Sequence, residues 1–131
     1  MNRYTTIFVY GTLQSGQANC HRLSGQSLIG PAKTVEPYFL FDLGSCPAMV
    51  ERVPAMGDAS GESPVHGEVW KIDQPCLKNL DWFESHPTVY CRRNIKVRVG
   101  EGKLWNAWAY FMHYPYAHHG IPVADGIWRK L

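Results

Sequence analysis

The 131-residue sequence lacks most of the features that announce catalytic or binding chemistry. Its four cysteines, Cys20, Cys46, Cys76 and Cys91, include no C-x-x-C pair. Their wide, irregular spacing speaks against the close ligand pairs of a structural zinc site. No apolar run approaches the ~18 residues of a membrane span, and the opening Met1 to Thr6 has no apolar signal core. No G-x-S-x-G, P-loop or G-x-G-x-x-G motif occurs, so serine-hydrolase and nucleotide-binding signatures are absent. Charge is scarce as well: 18% of residues carry it, for a formal net charge of +2, while 45% are hydrophobic. That balance excludes a disordered chain and offers no basic stripe for duplex nucleic acid. The densest basic stretch, Arg92 to Arg98, alternates in the manner of the wet face of a strand. The expectation is a cytoplasmic protein with free, mostly buried thiols, no metal, no cofactor, and neither a membrane nor a nucleic-acid partner.

What the sequence does hold is a globular core. The length corresponds to one domain over residues 1–131, and such a domain buries enough surface for one concave site. It is expected to work as a monomer. Thr5 to Tyr10, β-branched and aromatic, reads as a buried strand closed by Gly11. The segments Ser27 to Glu36, Tyr38 to Leu43, Ala48 to Val53 and Val65 to Ile72 read as further strands. Gly44 to Pro47 is a turn, and residues 54–64 form a loop rich in glycine and proline. Gln17 to Leu23 is expected to form a short helix with Ser15 as its cap. Gln74 to Ser85 is the strongest helix, with Leu77, Leu80 and Phe83 on one face, Pro75 in the first turn and Pro87 beyond the end. Val89 to Val99 and Leu104 to Met112 make a hairpin around Gly100 to Lys103. The tail from His113 is expected to be irregular and packed across the sheet. About seven strands with one or two short helices, without strand–helix alternation, define an α+β class: a small, mixed, mostly antiparallel β-barrel.

Few residues can carry chemistry. Gly11 ends the first strand within Tyr10-Gly11-Thr12-Leu13, where freed backbone N–H groups can hold a carboxylate or an oxyanion. Glu84 falls at the end of the predicted helix beside Phe83. Burial among aromatics would raise its pKa towards neutrality and suit it to general acid/base work. Asp81 is a candidate ion-pair partner for Arg92 or Arg93. Glu68 and Glu36 are the remaining alternative carboxylates. His113, His118 and His119 share the tail without ligand spacing, and His21 follows Cys20 without evidence of a catalytic pair. Trp105, Trp108, Tyr110, Phe111, Tyr114 and Tyr116 have little basic residue between them. They read as core and pocket lining, since base-stacking platforms come with a basic groove.

Several stretches, taken together and in order, resemble the gamma-glutamylcyclotransferase-like family, and its gamma-glutamylamine cyclotransferase branch in particular. They are Phe8-Val9-Tyr10-Gly11-Thr12-Leu13, Gln17 to Leu23, Val65 to Trp70, Leu80-Asp81-Trp82-Phe83-Glu84 followed by Pro87, Tyr90 and Arg92-Arg93, and Ala107-Trp108-Ala109-Tyr110-Phe111. Cys20 departs from the family's usual polar run at a position expected to face the core. Residues 54–64 and the His-rich tail have no clear counterpart. The resemblance implies a cavity in which Tyr10, Gly11, Thr12 and Leu13 bind a glutamyl head group and Glu84 is the acid/base. It also implies cleavage of a small gamma-glutamyl amide by attack of its own alpha-amine, giving 5-oxoproline and a free amine. The alternative is a binding module that keeps the pocket and holds a small metabolite without turnover.

Overall fold

The computed structural model describes residues 3–129. Eight strands are present: β1 (Tyr4–Val9), β2 (Ser27–Thr34), β3 (Phe39–Asp42), β4 (Pro47–Val50), β5 (His66–Asp73), β6 (Tyr90–Val99), β7 (Lys103–Met112) and β8 (Ile121–Pro122). Two helices accompany them, α1 (Gln74–Phe83) and the single turn α2 (Tyr114–Ala117). Five strands close into a barrel in the order β1-β5-β2-β6-β7, and β4-β3-β8 form a separate three-stranded sheet. All barrel pairings are antiparallel except the closure, where β1 meets β7 in parallel at Ile7 and Trp108. The barrel is therefore mixed and mostly antiparallel, as the sequence patterning predicts.

The apolar run Ile7 to Tyr10, at the end of β1, arises because both of its faces are covered. Phe8 and Tyr10 point into the barrel with Val69, Val97, Ala107, Ala109 and Phe111. Ile7 and Val9 face the other way, against Leu77 and Leu80 of α1 and Leu23. The helix begins where Asp73 caps it, its side chain accepting from the Cys76 N–H at 2.9 Å, with Pro75 in the first turn. Its apolar stripe then lies flat on the barrel while Trp82, on the opposite face, is exposed. This packing carries the C-terminal end of α1, and with it Glu84, to the end of β1 where the chain leaves the barrel at Gly11.

Three local expectations change. Gln17 to Leu23 folds as a short 3-10 turn, Cys20–Leu23, without a side-chain cap. Ser15 instead donates both its N–H and its hydroxyl to Glu68. Ring-like backbone bonds such as Asn19 N–H to the Thr12 carbonyl hold this segment as a compact loop, and they compete with a continuous helix. Second, all four thiols are free but Cys76 alone is fully buried, and Cys20 is half-buried outside the core clusters. Third, the tail is more ordered than its composition suggests: β8 pairs with β3, and Trp128 enters the main core. Among the described residues, no helix is long and apolar enough to cross a membrane.

Candidate active site

A cavity of about 420 Å³ opens at the end of β1, lined chiefly by Tyr10 to Leu13, Ser45 to Pro47, Phe83, Glu84, Tyr90 and Tyr110. The five residues singled out from sequence, Tyr10, Gly11, Thr12, Leu13 and Glu84, thus meet around one space. They come from two distant elements, the exit of β1 and the C-terminal end of α1.

The loop wall is shaped by what packs behind it. A Cβ on Gly11 would sit 2.6 Å from Cδ of Pro47, so glycine is required there by close approach of the β3–β4 turn. The loop folds back on itself: the Asn19 N–H donates to the Thr12 carbonyl at 2.8 Å and its side-chain amide to the Thr12 hydroxyl at 3.1 Å. Glu68 fastens the far end, one carboxylate oxygen accepting from the Ser15 N–H (2.8 Å), the Ser15 hydroxyl (3.2 Å) and the Trp70 indole (3.2 Å). The N–H groups of Gly11, Thr12 and Leu13 have no acceptor among the described residues. Three unpaired donors on a loop that lines a cavity are available to an anionic or carbonyl oxygen.

Glu84 sits just past α1, where its N–H closes the helix on the Leu80 carbonyl at 2.8 Å. Burial raises its carboxyl from the ordinary value of 4.5 to about 7, and the positive charge of Arg22 opposes that rise. Arg22 is held nearby by lying over the Phe83 ring, 3.8 Å from its centroid. A carboxyl group with a pKa near 7 populates both protonation states at neutral pH, which is the requirement for taking a proton and giving it back. Asp81, one turn earlier, has a different environment. It pairs with Arg92 at 2.8 Å and accepts from the Tyr110 hydroxyl at 2.6 Å, so it is committed to structure as the sequence suggests for it. Glu36 is exposed, two residues past the end of β2, and does not line the cavity.

Tyr10 lines the cavity, yet its hydroxyl is turned away from ligands. It donates to the Tyr110 carbonyl (2.7 Å) and accepts from the Met49 N–H (3.0 Å), tying β1 to β7 and β4. Burial pushes its phenol far above the usual range. Three further contributors have no isolated sequence signal. Tyr90, Ser45 and Cys46 reach the cavity through a hairpin pairing and a turn whose position depends on the second sheet. Among the described residues no three His, Cys, Asp or Glu side chains converge as a metal site.

A closed mixed barrel whose cavity is lined by a loop with unpaired N–H groups and by a buried carboxyl group has the makings of a small-molecule site. The sequence profile described as gamma-glutamyl cyclotransferase, AIG2-like matches residues 7–130. The chain belongs to this family. It is 33% identical to a gamma-glutamylcyclotransferase family protein, YtfP, of Escherichia coli, over 83% of each chain. It is 39% identical to gamma-glutamylaminecyclotransferase B of zebrafish, over 79% of this chain and 57% of that longer protein. Among solved structures, the crystal structure of a mouse AIG2-like protein superposes with a TM-score of 0.78 at 26% identity, covering 98% of this chain and 90% of the mouse one.

Proposed function

We propose that this chain cleaves a small gamma-glutamyl amide by intramolecular cyclisation. The alpha-ammonium first gives up one proton to solvent, the neutral nitrogen attacks the gamma-carbonyl carbon, Glu84 takes the proton that the nitrogen then loses, and a tetrahedral intermediate forms. The bond to the leaving nitrogen then breaks as Glu84 returns the proton, releasing 5-oxoproline and a free amine. The N–H groups of Gly11, Thr12 and Leu13 hold the substrate's carboxylate or the oxyanion. The nucleophile is part of the substrate, so much of the barrier is met by holding a near-attack geometry. Effective molarities for well-placed intramolecular groups reach roughly 10⁵–10⁸ M.

The observation that carries this reading is the raised carboxyl of Glu84 on the same cavity as the unpaired N–H groups. Family membership and the name of the zebrafish relative support gamma-glutamyl amines as the first substrates to test. The chemistry needs neither Lewis acid nor redox cofactor, so we propose a metal-independent enzyme, a single domain over residues 1–131, acting as a monomer in the cytoplasm. The test is incubation with a panel of gamma-glutamyl amines, gamma-glutamyl amino acids and glutathione, with and without chelator, scoring 5-oxoproline by mass spectrometry. Release of 5-oxoproline from one class, unaffected by chelation, is expected. Binding without release would instead identify a metabolite-binding module.

A further inference from the structure

Besides Glu84, the cavity wall carries two phenols whose hydroxyl protons have fixed directions. Hydroxyl orientation is ordinarily open, because the group both donates and accepts. At Tyr90 the hydroxyl donates to the Pro47 carbonyl at 3.1 Å, which can accept only, and the Cys46 thiol lies against the same oxygen. At Tyr110 the partner is Asp81 at 2.6 Å, whose same carboxyl oxygen also accepts from Arg92 at 2.8 Å. The Arg92 guanidinium is held in turn by lying over the Trp108 ring at 4.4 Å, and the backbone N–H of Arg92 donates to Nδ1 of His86 at 3.2 Å. Both phenols thus give their protons to the protein and keep only oxygen lone pairs for a ligand. Burial pushes both of them up, reinforced at Tyr110 by the Asp81 carboxylate and at Tyr90 by Tyr10 and Cys46, so they stay protonated and neutral at any working pH. The third phenol, that of Tyr10, has its donor and one acceptor position both used by backbone.

The cavity therefore separates into two kinds of surface. The Gly11 to Leu13 loop offers donors, whereas Glu84, Tyr90 and Tyr110 offer acceptors. An alpha-amino acid head group has the complementary pattern, an anion that needs donors beside an ammonium that carries three of them. We propose that Tyr90 and Tyr110 are specificity-determining residues that receive the cationic amino group of the ligand beside Glu84, and that Asp81 is a positioning residue that keeps the Tyr110 hydroxyl turned the required way. This assignment rests on the cyclotransferase reading only in taking a gamma-glutamyl head group as the ligand. It places the attacking nitrogen next to the group that takes its proton.

L-Glutamate and glutarate test the assignment, because they differ only in the alpha-amino group and neither has an amide to cleave. Calorimetric or NMR titration at neutral pH is expected to show glutamate binding about tenfold or more tighter, the worth of hydrogen bonds to a charged group. Tyr110→Phe and Tyr90→Phe should each narrow that preference while leaving the affinity for glutarate unchanged. Asp81→Asn should narrow it as Tyr110→Phe does, and the double variant should narrow it no further, since the two act through one hydroxyl. A full preference for glutamate in both Phe variants would overturn the proposal, as would an equal loss of both ligands, which marks a structural role. If Tyr110→Phe melts below assay temperature, Tyr90→Phe decides. A wild-type protein that binds neither probe and releases no 5-oxoproline from the substrate panel overturns the cyclotransferase reading, whereas 5-oxoproline release with undiminished amino preference in the variants overturns this assignment alone.

Discussion

Glu84 and Glu68 bracket the same loop, and their surroundings give them different work. Glu68 spends one oxygen on three donors and pins Ser15, so it holds the loop without facing the cavity. Glu84 is desolvated on the cavity wall, and its carboxyl rises to about 7. The sequence offers a reason to favour Glu84, its place at a helix end beside Phe83, but it cannot show that Glu68 is already engaged fifty-three residues away. Glu84→Gln keeps the volume and cannot exchange a proton at neutral pH. Turnover is expected to fall by roughly 10²–10⁴, read by steady-state release of 5-oxoproline. In the wild type, kcat/KM should fall as pH drops below about 7, where the base becomes protonated. The same shift bears on stability. A carboxyl raised from 4.5 to about 7 binds its proton more tightly in the folded state, so the stability it lends at low pH is lost as pH rises from 4.5 through about 7. Above that window the buried charge is a burden that Gln lacks. Glu84→Gln should therefore melt higher than wild type at about pH 8.5, by on the order of 2 kcal/mol, with the gain gone near pH 5. Melting curves at the two pH values check the sign.

At the scale of the element, alternation and punctuation make β1, β5, α1 and the β6–β7 hairpin legible, because each is decided by its own residues. The 11–23 segment is not, because its conformation is set by partners outside it: Glu68 on β5 takes Ser15 away from any capping role, and Pro47 on β4 dictates Gly11. Gly11 illustrates the distinction. A glycine after a strand suggests a turn that needs unusual backbone angles, whereas here the requirement is space, with Pro47 Cδ and Cγ at 2.6 and 2.7 Å from where a Cβ would stand. The pyrrolidine ring cannot swing aside as a flexible chain would. Gly11→Ala is expected to destabilise by about 1–3 kcal/mol, the usual cost of overpacking. It should also raise KM more than it lowers kcat, because the displaced loop carries the unpaired N–H groups. Pro47→Ala in the same chain should recover part of both losses. Urea unfolding and steady-state kinetics on the single and double variants test this, and an additive loss in the double variant would show that the clash is not the cause.

At the scale of the whole molecule, the second sheet is what closes the cavity, and the tail is what holds the second sheet. β3 and β4 bring Ser45, Cys46 and Pro47 to the site, and β8 pairs with β3 at Phe41 and Asp42. Beyond β8 the chain turns at Gly126, whose φ of 72° and missing Cβ allow it to lie against the Pro64 carbonyl. Trp128 then fills the main core beside Leu40 and Met49, its indole donating to Asp42 at 3.3 Å. That the tail packs across the sheet is legible in the sequence, but the β8 strand and the burial of Trp128 are not, since the segment has few residues of strand type and its order comes from β3 and from the core that Trp128 enters. Trp128→Ala removes a large side chain from a packed interior, which typically costs about 3–5 kcal/mol. It removes no cavity-lining atom, because Trp128 lies outside that wall. The expected result is a lower urea midpoint with kcat/KM of the folded protein close to wild type. A variant that unfolds at the wild-type midpoint would show that the tail merely rests on the barrel. One that keeps its stability and loses substrate affinity would show that the tail acts on the site directly, through the β3–β4 turn.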